Sequence, residues 1–196
     1  MRSIVLFTED YAHEEFVAAI VERFSRTIGV PIKQIPRSVR GGHGKVVAEF
    51  HSYLQDLEHE REQVPDLLIV ATDANCERYG KRKKAIDAIN EKARHITIYA
   101  IPVPHIERWL LLDSAAFKAV MGKGCNAPDQ KCSRDRYKRL LLEAMRNAGI
   151  VPPLGGVEYT RDIVDVMDLQ RMEAVNASFG KFLKELHSKF KEWRNE

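Results

Sequence analysis

A chain of 196 residues, 44% hydrophobic and 30% charged, suits one domain that buries a real core, with room for an appended helical region. A net charge of +3 permits nucleic-acid contact without arguing for it. No stretch approaches the roughly 20 apolar residues of a membrane span, and Glu9 and Asp10 come too early for a signal peptide, so a cytoplasmic chain without a membrane partner is expected.

The first apolar run, residues 3–8, reads as a buried strand ending at Glu9. Phe16, Ala19, Ile20 and Phe24 recur at helical spacing and predict a helix over 12–27, stopped by Gly29. Residues 30–37 form a strand interrupted by Pro31 and Pro36, which points to a sheet edge. The flexible loop Arg40-Gly41-Gly42-His43-Gly44-Lys45 leads into a helix over 45–60. Leu67 to Thr72 is the most apolar strand and is expected at the sheet centre. The basic run Lys81-Arg82-Lys83-Lys84 opens a helix to about 93, and 95–103 is the fourth strand. Beyond Pro104 no strong strand appears; helices are predicted over 105–121, 134–148, 160–166 and 177–193, with Pro152-Pro153-Leu154-Gly155-Gly156 as a break. The alternation predicts an α/β layered fold, Rossmann-like, with a mostly parallel sheet and a helical C-terminal region. Residues 1–104 would be the core and 105–196 a helical extension packed on it, as one structural domain.

Three cysteines, an odd number, fit a reducing cytoplasm. Cys125 and Cys132 are separated by six residues, among Gly122, Gly124 and Pro128. A zinc site would show tighter pairs and two further ligands, so free thiols are expected.

Carboxylates stand at strand ends. Glu9 ends the first, Asp73-Ala74-Asn75 the third, and His105-Ile106-Glu107 follows the fourth. Ligands of open parallel α/β sheets bind beyond the carboxyl ends of the strands, so these groups could share one crevice. Hard oxygen donors there suit Mg²⁺ or Mn²⁺. Each has a plainer reading. Glu9 could cap the next helix, Asp73 and Asn75 could form a turn, and Glu107 could sit in a buried ion pair. Asp10, His13 and Glu14 read as a solvated first helical turn. The glycine loop lacks the spacing and the hydroxyl of a nucleotide-binding P-loop, since Val46 follows Lys45. Lys45 and the run Lys81, Arg82, Lys83 and Lys84 could instead touch a phosphodiester backbone. Trp109, Leu110 and Leu111 read as core.

The motifs Val5-Leu6-Phe7-Thr8-Glu9 and Asp73-Ala74-Asn75, in that order and spacing, resemble the Toprim domain of topoisomerases, primases and nucleases of the overcoming-lysogenization-defect type. In that comparison Glu9 matches the catalytic Glu, Asp10 replaces a Gly, and Asn75 stands where a second carboxylate is usual. The stretch from Pro102 through Glu107, Trp109, Leu110 and Leu111 to Asp113 is similar to a signature of small bacterial Toprim-like proteins found beside ATPases and linked to phage defence. So are Met167-Asp168-Leu169 and Ser178-Phe179-Gly180-Lys181-Phe182. The resemblance implies a Mg²⁺- or Mn²⁺-dependent nuclease, with Glu9, Asp73 and Glu107 catalytic and Glu9, Asp73 and Asn75 on the metal. It implies nucleic acid and an ATPase as partners, with a homo-oligomer left open. The alternative is a non-catalytic subunit that uses the same body to dock on the ATPase. A small-molecule phosphotransfer enzyme is disfavoured by the lack of a nucleotide fingerprint.

Overall fold

The computed structural model describes residues 1–133 and 135–196. Four strands, β1 (Arg2–Thr8), β2 (Ile32–Ser38), β3 (Leu67–Ala71) and β4 (Thr97–Ala100), form one sheet of order β2-β1-β3-β4 in which every pairing is parallel. The molecule is a Rossmann-like layered α/β fold with helices on both faces of this sheet.

The interior strands read as unbroken apolar runs because both of their faces are covered. Side chains alternate across a strand. Ile4 and Leu6 of β1, Leu67 and Ile69 of β3, and Ile98 of β4 enter one core, while Val5, Phe7, Leu68, Val70 and Tyr99 enter the other. The second core is roofed by α2 (His43–Glu58) and α3 (Tyr79–Asp87), through Val46, Phe50, Tyr53 and Ile86. The first is roofed by α1 (Tyr11–Ile28) and the helices beyond Pro104: α4 (Ile106–Leu110), α5 (Ser114–Met121), α6 (Arg136–Asn147), α7 (Thr160–Val166), α8 (Leu169–Val175) and α9 (Ala177–Asn195). Trp109 stacks on Phe179 at 4.6 Å between centroids, and Phe16 lies 5.4 Å from Phe179, so residues 105–196 share a core with β1, β3 and β4.

Strand β2 is at the edge, as its prolines require, and Pro36 pairs opposite Leu6. The helix expected over 105–121 is two helices. Asp113 separates them, accepting the N–H groups of Ala115 and Ala116 as the cap of α5 and bonding Asp168 N–H and Arg171. The expected start of the next helix, Arg134, lies outside the described residues. Helix α8 was not expected; Asp168 caps it through Arg171 N–H. Among the described residues no helix is long and apolar enough to cross a membrane.

The cysteine reading is corrected: Cys76 and Cys132, 56 positions apart, form a disulfide, and Cys125 alone is free. Cys132 pairs with the turn after β3, not with a nearby residue. The odd count therefore loses its force as an argument for a reducing compartment.

Candidate active site

Strand β1 has β2 on one side and β3 on the other. The chain order reverses between β1 and β3, and the crevice beyond their carboxyl ends is where such sheets bind ligands. Glu9 follows β1 and Thr72-Asp73 follows β3. Glu9 Oε2 accepts the Thr72 hydroxyl at 2.6 Å and the Asp73 N–H at 3.0 Å, so the Glu9 carboxylate rests on the backbone at the end of β3. His43, in the first turn of α2, lies with Nδ1 3.2 Å from the same Thr72 hydroxyl oxygen. Burial, then Arg82, lowers the proton affinity of His43.

The segment after β4 is sewn to the turn after β3. Ala74 N–H bonds Pro102 O at 2.9 Å and Asn75 N–H bonds Pro104 O at 3.0 Å. This sets His105 and the start of α4 against Asp73. Asp73 Oδ2 lies 2.8 Å from His105 Nδ1, while its Oδ1 accepts Ile106 N–H at 2.9 Å and lies 3.0 Å from His13 Nε2. Asp73 thus caps α4 from a neighbouring strand, where a carboxylate is favoured.

The first turn of α1 differs from the solvated turn expected. Asp10, not Glu9, is the cap: its Oδ1 accepts His13 N–H at 3.0 Å and lies 2.8 Å from His13 Nδ1. His13 is wholly buried between Asp10 and Asp73. Burial alone would lower its proton affinity, but Asp73 and Asp10 outweigh this and hold it well above the ordinary histidine value. Burial likewise works against the two acids; His13 nevertheless holds Asp10 down to about 2, and His13 with His105 keeps Asp73 low. The bond to Asp73 raises His105. Glu107, half-buried in α4, is raised by burial and then by the Asp73 charge. The crevice is therefore a cluster of acids in which Asp73 raises the proton affinity of both His13 and His105. Sequence spacing gave no sign of this, because His13 and His105 are 92 positions apart and meet only through Asp73.

Asn75 sits apart in role. Its φ of 53° puts it in the left-handed turn region that Asn tolerates, and its N–H holds Pro104. Among the described residues no hydrogen bond joins its side chain to Glu9 or Asp73. The basic run also divides. Lys81 pairs with Glu77 at 2.6 Å, Lys83 pairs with Asp87 at 2.7 Å and lies over the Tyr99 ring, and Lys84 is exposed. Arg82 is buried, reaching Glu77 and Ala74 O at 3.4 Å and bracing the turn after Asp73. Lys45 is exposed, its stem folded across Gly41.

Among the described residues no three His, Cys, Asp or Glu side chains form a ready-made metal cage. Mg²⁺ seldom needs one: it keeps several waters and is held by one or two carboxylates together with substrate phosphate. Glu9 and Asp73 are hard oxygen donors at adjacent strand ends, with the Glu9 carboxylate on the Asp73 backbone N–H, so the donor chemistry fits such an ion.

A family described as a domain of unknown function, DUF4276, matches residues 8–187, and the chain belongs to that family. Neither a curated protein nor a solved structure matches the chain.

Proposed function

We propose that the crevice between β1 and β3 cleaves phosphodiester bonds with Mg²⁺ or Mn²⁺ held by Glu9 and Asp73, a Toprim-type nuclease chemistry. The observation that carries this reading is the Glu9 carboxylate resting on the Asp73 N–H at the topological switch point. When bound, the ion would supply Lewis acidity toward a phosphoryl oxygen and a more acidic water. The chain's own residues do the rest. Thr72 and the Asp73 N–H fix the rotamer of Glu9. His13, locked between Asp10 and Asp73, fixes Asp73. His105, whose proton affinity is raised by the Asp73 bond, is 17% exposed and is the group placed to pass a proton to a leaving oxygen. Glu107, whose proton affinity burial raises, is the second candidate for proton exchange. Asn75 is left out of the ligand set. The test is hydrolysis of labelled DNA and RNA with Mn²⁺, with Glu9→Gln as the inactivated control.

One observation favours a second reading. Both Asp73 oxygens already meet protein donors, and Asp73 caps α4. A structural Asp73 would suit a non-catalytic subunit that docks on an ATPase. Wild-type protein inert with either metal, yet binding a neighbour-encoded ATPase, would decide for it. The nuclease reading requires access to nucleic acid and hence the cytoplasm; whether the Cys76–Cys132 bridge persists there can be read by trapping thiols at lysis.

A further inference from the structure

We infer that the outer face of α6, with the described residues 123–133 ahead of it, is the surface on which a nucleic-acid backbone lies when it enters the crevice. The inference deepens the phosphodiesterase reading and rests on it for the identity of the polyanion. Residues 123–146 carry seven Lys or Arg against three Asp or Glu, net +4. Lys123, Lys138, Arg139 and Arg146 are exposed and form no ion pair among the described residues. In α3, by contrast, Lys81, Arg82 and Lys83 are all paired.

The segment is fixed to the crevice. Cys132 is bonded to Cys76, three residues beyond Asp73. Arg108 of α4 bonds Pro128 O at 3.3 Å and Asp129 O at 3.1 Å. Tyr137 at the start of α6 donates its hydroxyl toward Asp129 O and Lys131 O, and its ring lies 5.8 Å from that of His105. Helix α6 therefore begins beside the acid cluster. Tyr137, Leu141 and Met145 face the core at helical spacing, which turns Arg139 and Arg146, seven positions apart, to the opposite side. They lie about 10 Å apart along the axis, at 1.5 Å per residue, and so span more than one phosphate step. The acid cluster repels phosphate, and a flanking cationic stripe supplies the attraction that offsets this.

The test is equilibrium binding in EDTA, where no turnover occurs, of fluorescein-labelled 20-nucleotide single-stranded DNA, duplex DNA and RNA over a range of salt. Arg139→Glu/Arg146→Glu should weaken binding at least tenfold and reduce the salt slope by about two. The control is Lys191→Glu/Arg194→Glu, which changes net charge equally on α9, where the chain's last residue, Glu196, bonds Arg2 at the opposite end of β1. It should bind within about twofold of wild type. Equal losses in both double variants, no loss in the α6 variant, or wild type that binds phosphatidylserine vesicles but no oligonucleotide would overturn the inference. Protein that binds through α6 but never cleaves overturns the proposed chemistry and leaves this surface standing. Protein that cleaves and binds unchanged after the α6 reversal does the opposite.

Discussion

At the scale of single residues, the site is organised by Asp73, and its neighbours set what a substitution does. His13 is buried between Asp73 and Asp10, whose charges hold its proton affinity well above the ordinary histidine value. Asp73→Asn should therefore destabilise the fold by about 3 kcal/mol, because breaking a buried charge pair strands its partner; denaturant titration measures it. The pH dependence follows from the same group. The folded His13 holds its proton above the ordinary histidine value, so its contribution is complete below about pH 6.5 and is lost as pH rises through the folded value. Asp10, depressed to about 2, contributes above about pH 3.8 and loses that contribution as pH falls toward 2. Thermal stability in metal-free buffer should thus be greatest between about pH 4 and 6.5. The alkaline decline should shrink in His13→Asn. Glu9 and Asp73 were legible as strand-end acids because an apolar run that stops at a carboxylate is visible in one dimension. His13 was not, since a histidine in a helix's first turn reads as solvated until a sheet is placed over it.

At the scale of elements, the strands were readable for a physical reason: two covered faces leave β3 and residues 4–7 of β1 wholly apolar. The helical half was harder. Helices α4 and α5 looked like one because Asp113 reads as a tolerable helical residue until its carboxylate is seen capping α5 and bonding Asp168 N–H. Helix α8 was not read from the sequence, and its cap, Asp168, is visible only in the structure. Its junction with α9 has a sharp requirement. A Cβ on Gly180 would lie 2.3 Å from Glu173 O, a backbone atom that cannot step aside alone. Gly180→Ala should destabilise by about 2 kcal/mol, the scale of overpacking; an unchanged melting temperature would show that α8 and α9 do not meet this closely. The Cys76–Cys132 pairing lay beyond sequence reasoning, since a 56-residue separation leaves no local trace.

At the scale of the whole molecule, one sheet carries two cores, and every element that reaches the crevice is tied to another. The disulfide closes a loop of that length across the site's rim. In the chain-entropy account, Cys76→Ser/Cys132→Ser should lower stability by about 4 kcal/mol. Thiol titration of the denatured native protein should find one reactive group, Cys125, and three after reduction. The central claim is that Glu9 and Asp73 form one hydrolytic centre. Its most direct test compares Mn²⁺-dependent cleavage of labelled DNA and RNA by wild type and Glu9→Gln. Glutamine keeps an oxygen for Thr72 and the Asp73 N–H, so the fold should hold, as a melting curve will verify. The account predicts that wild type cleaves and that Glu9→Gln is slower by about 100-fold or more. Wild type inert with both Mg²⁺ and Mn²⁺, or Glu9→Gln as fast as wild type, would contradict it.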